Sequence, residues 1–206
     1  DSESQQIHYS FDGSIPSENS YIYSEPIMVE TTKVLRATVI HPECPPGVVV
    51  TKSYFINEDS ILPTVSLTTD PYNLWDEEYG IYVMGNDADW EFPHFGANFW
   101  EDWERPIHIE FFEPNGDLGF SLNAGVKIFG NYSRGYPQKS VAIYARSSYG
   151  TNQIDYQIFP DKQIDSFKAI VLRNSGNDWL GNGQDNTSMF RDGMNTGLMD
   201  DTELDH

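Results

Sequence analysis

Cysteine is almost missing from this sequence. The single Cys44 sits in the run HPECPPG, a proline-rich loop, so neither an internal disulfide framework nor a cysteine metal cluster is available. Cations are scarce too: 12 Lys and Arg stand against 32 Asp and Glu, a formal charge of -20. So acidic a chain repels nucleic acid and anionic lipid, which discounts both as partners, while it attracts divalent cations and suits an extracellular setting. No stretch approaches the ~18 consecutive apolar residues of a membrane-crossing helix. His94, beside Pro93 in a loop, and His108, between Ile107 and Ile109, have no neighbouring His or Cys and make no metal motif.

Aromatic residues, in contrast, make up 14% of the chain, alongside 16 Gly and 12 Pro. An aromatic-rich, turn-rich and helix-poor composition predicts a mainly β fold with minor α. Residues 1–57 read as a small antiparallel β-sandwich. Ile7, Tyr9 and Phe11 alternate ahead of the turn Asp12-Gly13; residues 21–23 and 27–29 are short strands split by Pro26; residues 34–40 (VLRATVI) and 48–56 supply two more. A unit of about 50 residues lies near the lower size limit for independent stability, so docking onto its neighbour is expected. Residues 58–63 form a short acidic linker ending at Pro63.

Residues 64–206 read as a second, antiparallel-sheet unit. Strands are expected at 64–68 and 81–84, and a hairpin joins 103–113 to 120–129 around Pro114-Asn115-Gly116-Asp117. Between them residues 85–103 hold three of the five Trp, and packing over a sheet is the expectation. Ile154, Tyr156 and Ile158 alternate, and residues 167–172 are apolar enough for a buried central strand. After a loop at 181–187, one helix places Phe190, Met194 and Leu198 on one face, with Ser188 as its cap and Gly193 and Gly197 weakening it.

Chemistry concentrates in residues 125–146, GVKIFGNYSRGYPQKSVAIYAR. Two alternating strands flank a polar loop of Gly130, Asn131, Ser133, Arg134, Gly135 and Pro137. Lys139 opens the second strand in line with Val141 and Ile143, so its ammonium must snorkel, pair or hold an anion. A glycine hairpin followed by a strand lysine can cover nucleotide phosphates. It is neither a Walker A loop, where Lys follows Gly directly, nor G-x-G-x-x-G; a surface hairpin with ordinary cations is the plain alternative. A second candidate follows residues 167–172: Arg173, Asn174 and Asp178 in a glycine-containing loop at a strand end, equally sensible as helix caps. Asp70, Asn73, Asp76 and Glu78 could offer oxygen ligands to Ca²⁺, though without EF-hand spacing, and turn capping is the default. Tyr21 and Tyr23 could stack on sugar or simply pack across strands.

Several long stretches carry a resemblance: LPTVSLTTDPYNLWDEEYGIYV (62–83), WERPIHIEFFEPNGDLGF (103–120), NAGVKIFGNYSRGYPQKSVAIYAR (123–146), IFPDKQIDSFKAIVLRNSGNDW (158–179) and MFRDGM (189–194). In this order they resemble the spore-coat-protein-H (CotH) kinase family in its large secreted bacterial form. That resemblance implies a kinase-like N-lobe, ATP with Mg or Mn, a protein acceptor, a secreted or cell-surface bacterial protein, and nucleotide contact by Arg134 and Lys139. It also implies that the metal-binding and catalytic Asp residues lie beyond His206, leaving these residues inactive in transfer by themselves. The run from Ile7 to Val39 resembles the chitobiase/β-hexosaminidase C-terminal-type immunoglobulin-like module, an accessory of secreted enzymes. The alternative reading is a non-enzymatic extracellular adhesion, scaffold or glycan-contacting protein.

Overall fold

The computed structural model describes residues 5–178 and 188–199. It is mainly β, with antiparallel sheets and two short helices. The expected loop at 181–187 lies outside the described residues.

The first unit is a four-stranded sheet. Its strands are β1 (Gln6–Ser10), β2 (Tyr21–Ile22), β3 (Lys33–Ile40) and β4 (Val50–Tyr54), in the order β2-β1-β3-β4. Asp12 builds the turn after β1 by accepting from the Ser14 amide and hydroxyl, at 2.9 and 2.5 Å. The strand expected at 27–29 does not form. Tyr23 still donates its amide to Ile7 O at 2.8 Å, but Pro26, which has no N–H, cannot continue a ladder, and the chain leaves the sheet.

Register sorts this sheet into two faces. Direct partners share a face, so His8 and Thr38 lie on one side, while Tyr9, Tyr21 and Ala37 lie on the other, with Ile7 and Val39. The buried side is the polar one: His8, Ser10, Thr38 and Thr51, with Ile40 at its end. Ile7, Tyr21, Val39 and Val50 on the opposite side face solvent.

The second unit opens with β5 (Thr64–Thr68) and the helical turn α1 (Pro71–Trp75). Asp70 caps α1 by accepting the Tyr72 amide, and Pro71 occupies a first-turn position where no donor is needed. β6 (Arg105–Phe112), β7 (Leu118–Phe129) and β8 (Ser140–Tyr144) follow; β9 (Ile154–Asp155) and β10 (Ser166–Phe167) make a two-stranded ribbon; β11 (Ala169–Leu172) and α2 (Arg191–Met199) come last. The larger sheet runs β11-β8-β7-β6-β5. Among the described residues β11 is therefore an edge strand and not the buried central one expected; β8 alone pairs with it there, and Val171 is 40% exposed.

One face of this sheet is a closed apolar core of Ile107, Ile109, Ala124, Val126, Ile128 and Ile143. The chain between α1 and β6 covers it. Ile81, Ala97 and Phe99 are buried there, with Leu74, Tyr82, Trp100 and Trp103 packed alongside. The strand expected at 81–84 is replaced by this cover, because the amides of Ile81 and Tyr82 bond back to Asn73 O and Leu74 O at 3.0 and 3.1 Å. The aromatic loop divides: Phe99 is buried, whereas Trp90 is 91% exposed.

The two units meet through polar faces. Glu110, on the far side of β6 from the core, is 1% exposed. It accepts the Ser53 amide of β4 at 2.7 Å and lies 3.4 Å from Lys52 Nζ. Ser53 Oγ and Ser66 Oγ are 2.7 Å apart, the Ile15 amide donates to Asp70 at 3.0 Å, and Phe55 packs edge-on against Phe112.

Candidate functional site

The β7–β8 connection holds the candidate cations. Gly130 takes φ +113, which releases the chain from β7, and Tyr132–Gly135 close a single 3-10 turn. Arg134 then folds back along its own loop. Its Nε donates to Gly130 O at 2.8 Å and its Nη1 to Trp100 O at 3.1 Å, so the guanidinium ties the loop to the aromatic cover of the core.

Lys139 is 9% exposed. Its Nζ donates to Arg134 O at 2.7 Å and Tyr136 O at 2.9 Å, and it lies 3.7 Å from the centre of the Phe99 ring. The backbone amide of Lys139 donates to the Tyr82 hydroxyl at 2.9 Å. Burial pushes the ammonium from 10.5 down to about 8. The loop thus wraps an ammonium at the head of β8 in carbonyl oxygens and an aromatic face. Such a group can exchange two carbonyls for an anion, or release a proton near neutral pH, with a small movement of residues 130–138.

The second candidate loop comes to the same place. Asn174 is fully engaged: Oδ1 accepts from Ser140 Oγ and the Gly176 amide, both at 2.9 Å, and Nδ2 donates to Gln138 O at 2.6 Å. It therefore clamps the base of the lysine loop from the loop that follows β11. Asp178 points the other way. It accepts from the Ser188 amide and hydroxyl at 2.9 Å and from the Arg191 amide at 3.2 Å, with Arg191 Nε also 3.2 Å away. Burial opposes its charge, but these donors hold its carboxyl below the usual range. Asp178 thus does the capping that the sequence suggested for Ser188. Arg173 lies exposed beside this cluster. Phe190, just ahead of α2, and Met194 and Leu198 within it are exposed.

Residues that the sequence did not single out complete the site. Phe99 and Tyr82 come from the covering segment, and Ser140 and Gln138 flank Lys139 itself. Only Ser140 had an available signal, a hydroxyl on a core-lining strand; Phe99 and Tyr82 lie too far along the chain to be connected by pattern.

The calcium candidates act as turn and helix caps. Asp76 Oδ1 accepts the amides of Glu78 and Tyr79, and Asn73 Nδ2 donates to Thr69 Oγ1. Among the described residues, no group of three or more His, Cys, Asp or Glu could hold a metal ion. No described helix is long and apolar enough to cross a membrane. In the first unit Tyr21 stacks on Tyr9 at 5.4 Å while remaining 66% exposed.

No curated protein and no solved structure matches the chain. Residues 1–54 match a family profile described as Fn3 associated, which together with the β-rich unit is compatible with an immunoglobulin-like module at the start of the chain.

Proposed function

We propose that the five-stranded sheet is the nucleotide-facing lobe of a secreted, ATP-dependent phosphotransferase of the CotH kinase type, with Lys139 as its phosphate-contacting cation. The observation that carries this reading is the Lys139 ammonium, buried under a glycine and arginine loop whose flanking residues Gln138 and Ser140 are held by Asn174 from the loop after β11. Phosphoryl transfer needs a fixed cation over the phosphates, and a lysine on a strand beneath a glycine-containing loop meets that need. Binding would exchange the carbonyls of Arg134 and Tyr136 for phosphate oxygens, and Arg134 would lend a second positive charge. Mg or Mn, when bound with ATP, neutralises phosphate charge; the described residues do not fit a metal site, so this reading gives them phosphate contact and no metal-binding role.

An acyl-phosphate analogue of ATP tests this directly, because it acylates an amine that lies beside the terminal phosphates. The expected result is labelling of Lys139, suppressed by ATP with Mn²⁺ and absent in Lys139→Met. A folded chain that leaves Lys139 unlabelled, and whose melting temperature ATP does not move, rules the reading out.

A further inference from the structure

We infer that the groove between the exposed face of the first sheet and the loop after β1 binds a neutral polysaccharide. This site shares no residue with the lysine loop, so either reading can fail without the other. The groove encloses ≈ 590 Å³ and is lined by Tyr9, Phe11, Asp12, Asn19, Ser20 and Tyr21 among others; sites for small ligands span about 300–1,000 Å³.

Its floor is aromatic. Tyr9 and Tyr21 are direct cross-strand partners whose rings stack at 5.4 Å and 29°, and Phe11 meets Tyr9 edge-on at 5.4 Å. Lys33 Nζ lies 4.9 Å from the centre of the Phe11 ring, so Phe11 acts as a wall and Tyr21 as the open platform. Cross-strand packing explains one face of Tyr21, but it leaves the ring 66% exposed.

Its rim is polar and already ordered. Asp12 is fixed by Ser14, and those hydrogen bonds hold its carboxyl below the ordinary range. Ser20 Oγ accepts the Ser17 amide at 2.9 Å, and the Ser20 amide donates to Ser17 O at 2.9 Å. The loop therefore loses little freedom on binding. Asn19 is exposed at the groove edge and offers both a donor and an acceptor.

A pyranose matches this pair of surfaces. Its C–H face stacks on an aromatic ring, and its equatorial hydroxyls reach a rim of carboxylate, amide and hydroxyl groups. Charge selects the class: Asp12 is ionised in the groove, and the chain carries -20, so uronic-acid and sialylated glycans are repelled. The same charge disfavours a second copy of the chain on this face.

The test titrates the full chain calorimetrically with cellotetraose, chitotetraose, xylotetraose and mannotetraose, with an oligogalacturonate as the anionic control. Saturable binding to at least one neutral oligomer is expected, with none to the oligogalacturonate. Tyr21→Ala should weaken binding at least tenfold and Asn19→Ala severalfold; both side chains are exposed, so circular dichroism should show each variant folded. Three results overturn the inference: no neutral oligomer binds the folded chain; Tyr21→Ala binds as tightly as the parent; or light scattering finds a dimer that Tyr21→Ala dissolves, which assigns the face to a second copy.

Discussion

The four-stranded and five-stranded sheets bury opposite chemistry. The five-stranded sheet turns Ile107, Ile109, Val126 and Ile143 inward beneath a cover of Ile81 and Phe99. The four-stranded sheet turns His8, Ser10, Thr38 and Thr51 inward and shows Ile7, Tyr21, Val39 and Val50 to solvent. Both alternate with period two. The difference lies in what each face meets: an apolar covering segment in one case, and the hydroxyl- and carboxylate-bearing back of β5 and β6 in the other. At the joint it is Ser53 that bonds across, to Glu110 and Ser66, while the buried hydroxyls of Ser10 and Thr38 bond within their own unit, to Ser14 O and Gly47 O. Alternation identifies which residues share a face; the partner decides which face is hidden.

The largest test of this contrast is truncation in the two sheets. Ile109→Ala removes a wholly buried side chain from a closed core and should destabilise by about 2–5 kcal/mol. The matching change Val39→Ala, on the open face, should stay within about 1 kcal/mol, as judged by urea denaturation. Equal losses would mean that something covers the first sheet in solution.

Next in size is the joint. Glu110→Ala leaves the Ser53 amide without its carboxylate partner, at a cost of about 1–3 kcal/mol. The change should also raise amide exchange across β4 while β7 and β8 keep their protection. A uniform rise in exchange would show that the two sheets open together.

The Asn174 clamp gives a third measurement. Asn174→Ala strips partners from Gln138 O, the Gly176 amide and Ser140 Oγ, and about 1–3 kcal/mol of stability should go with them. If the clamp also orders the lysine loop, acylation of Lys139 by a small amine reagent should accelerate in this variant.

The smallest effect concerns pH. The Lys139 ammonium titrates near 8 in the fold against 10.5 ordinarily, because burial disfavours its charge. Between those values the unfolded chain holds more protons, so this group adds stability as pH rises through 8 towards 10.5 and opposes folding below. Denaturation midpoints measured at pH 7 and pH 9 should therefore rise more in the parent than in Lys139→Met. The same rise in both would place the titration elsewhere.

Much of the strand content was legible because it rests on local rules. β5 falls at residues 64–68 as alternation predicts, and β3 begins at Lys33, one residue early. The β6–β7 hairpin follows from its turn residues, with Gly116 at φ +86. Misses came where a distant partner outcompeted a local tendency. Ile81 and Tyr82, at the start of the expected strand, bond to α1 and become part of the core cover. Residues 169–172 are apolar yet lie at a sheet edge, since apolar content reports burial on a face and not position in the strand order.

The candidate site divides the same way. Arg134, Lys139 and the residues of the 173–178 loop could be named from charge, glycine content and position at strand ends. That Asn174 clamps Gln138, that Asp178 instead caps the α2 segment, and that Phe99 lies over the Lys139 ammonium are long-range contacts without a sequence period. The sequence by itself determined the mainly β character, the hairpin around residues 114–117 and the excess of negative charge, because propensity, alternation and composition act within a few residues. Only the tertiary structure decided which sheet face is dry, which cation is buried and which aromatic rings stay open, because those outcomes depend on what each surface meets across the fold.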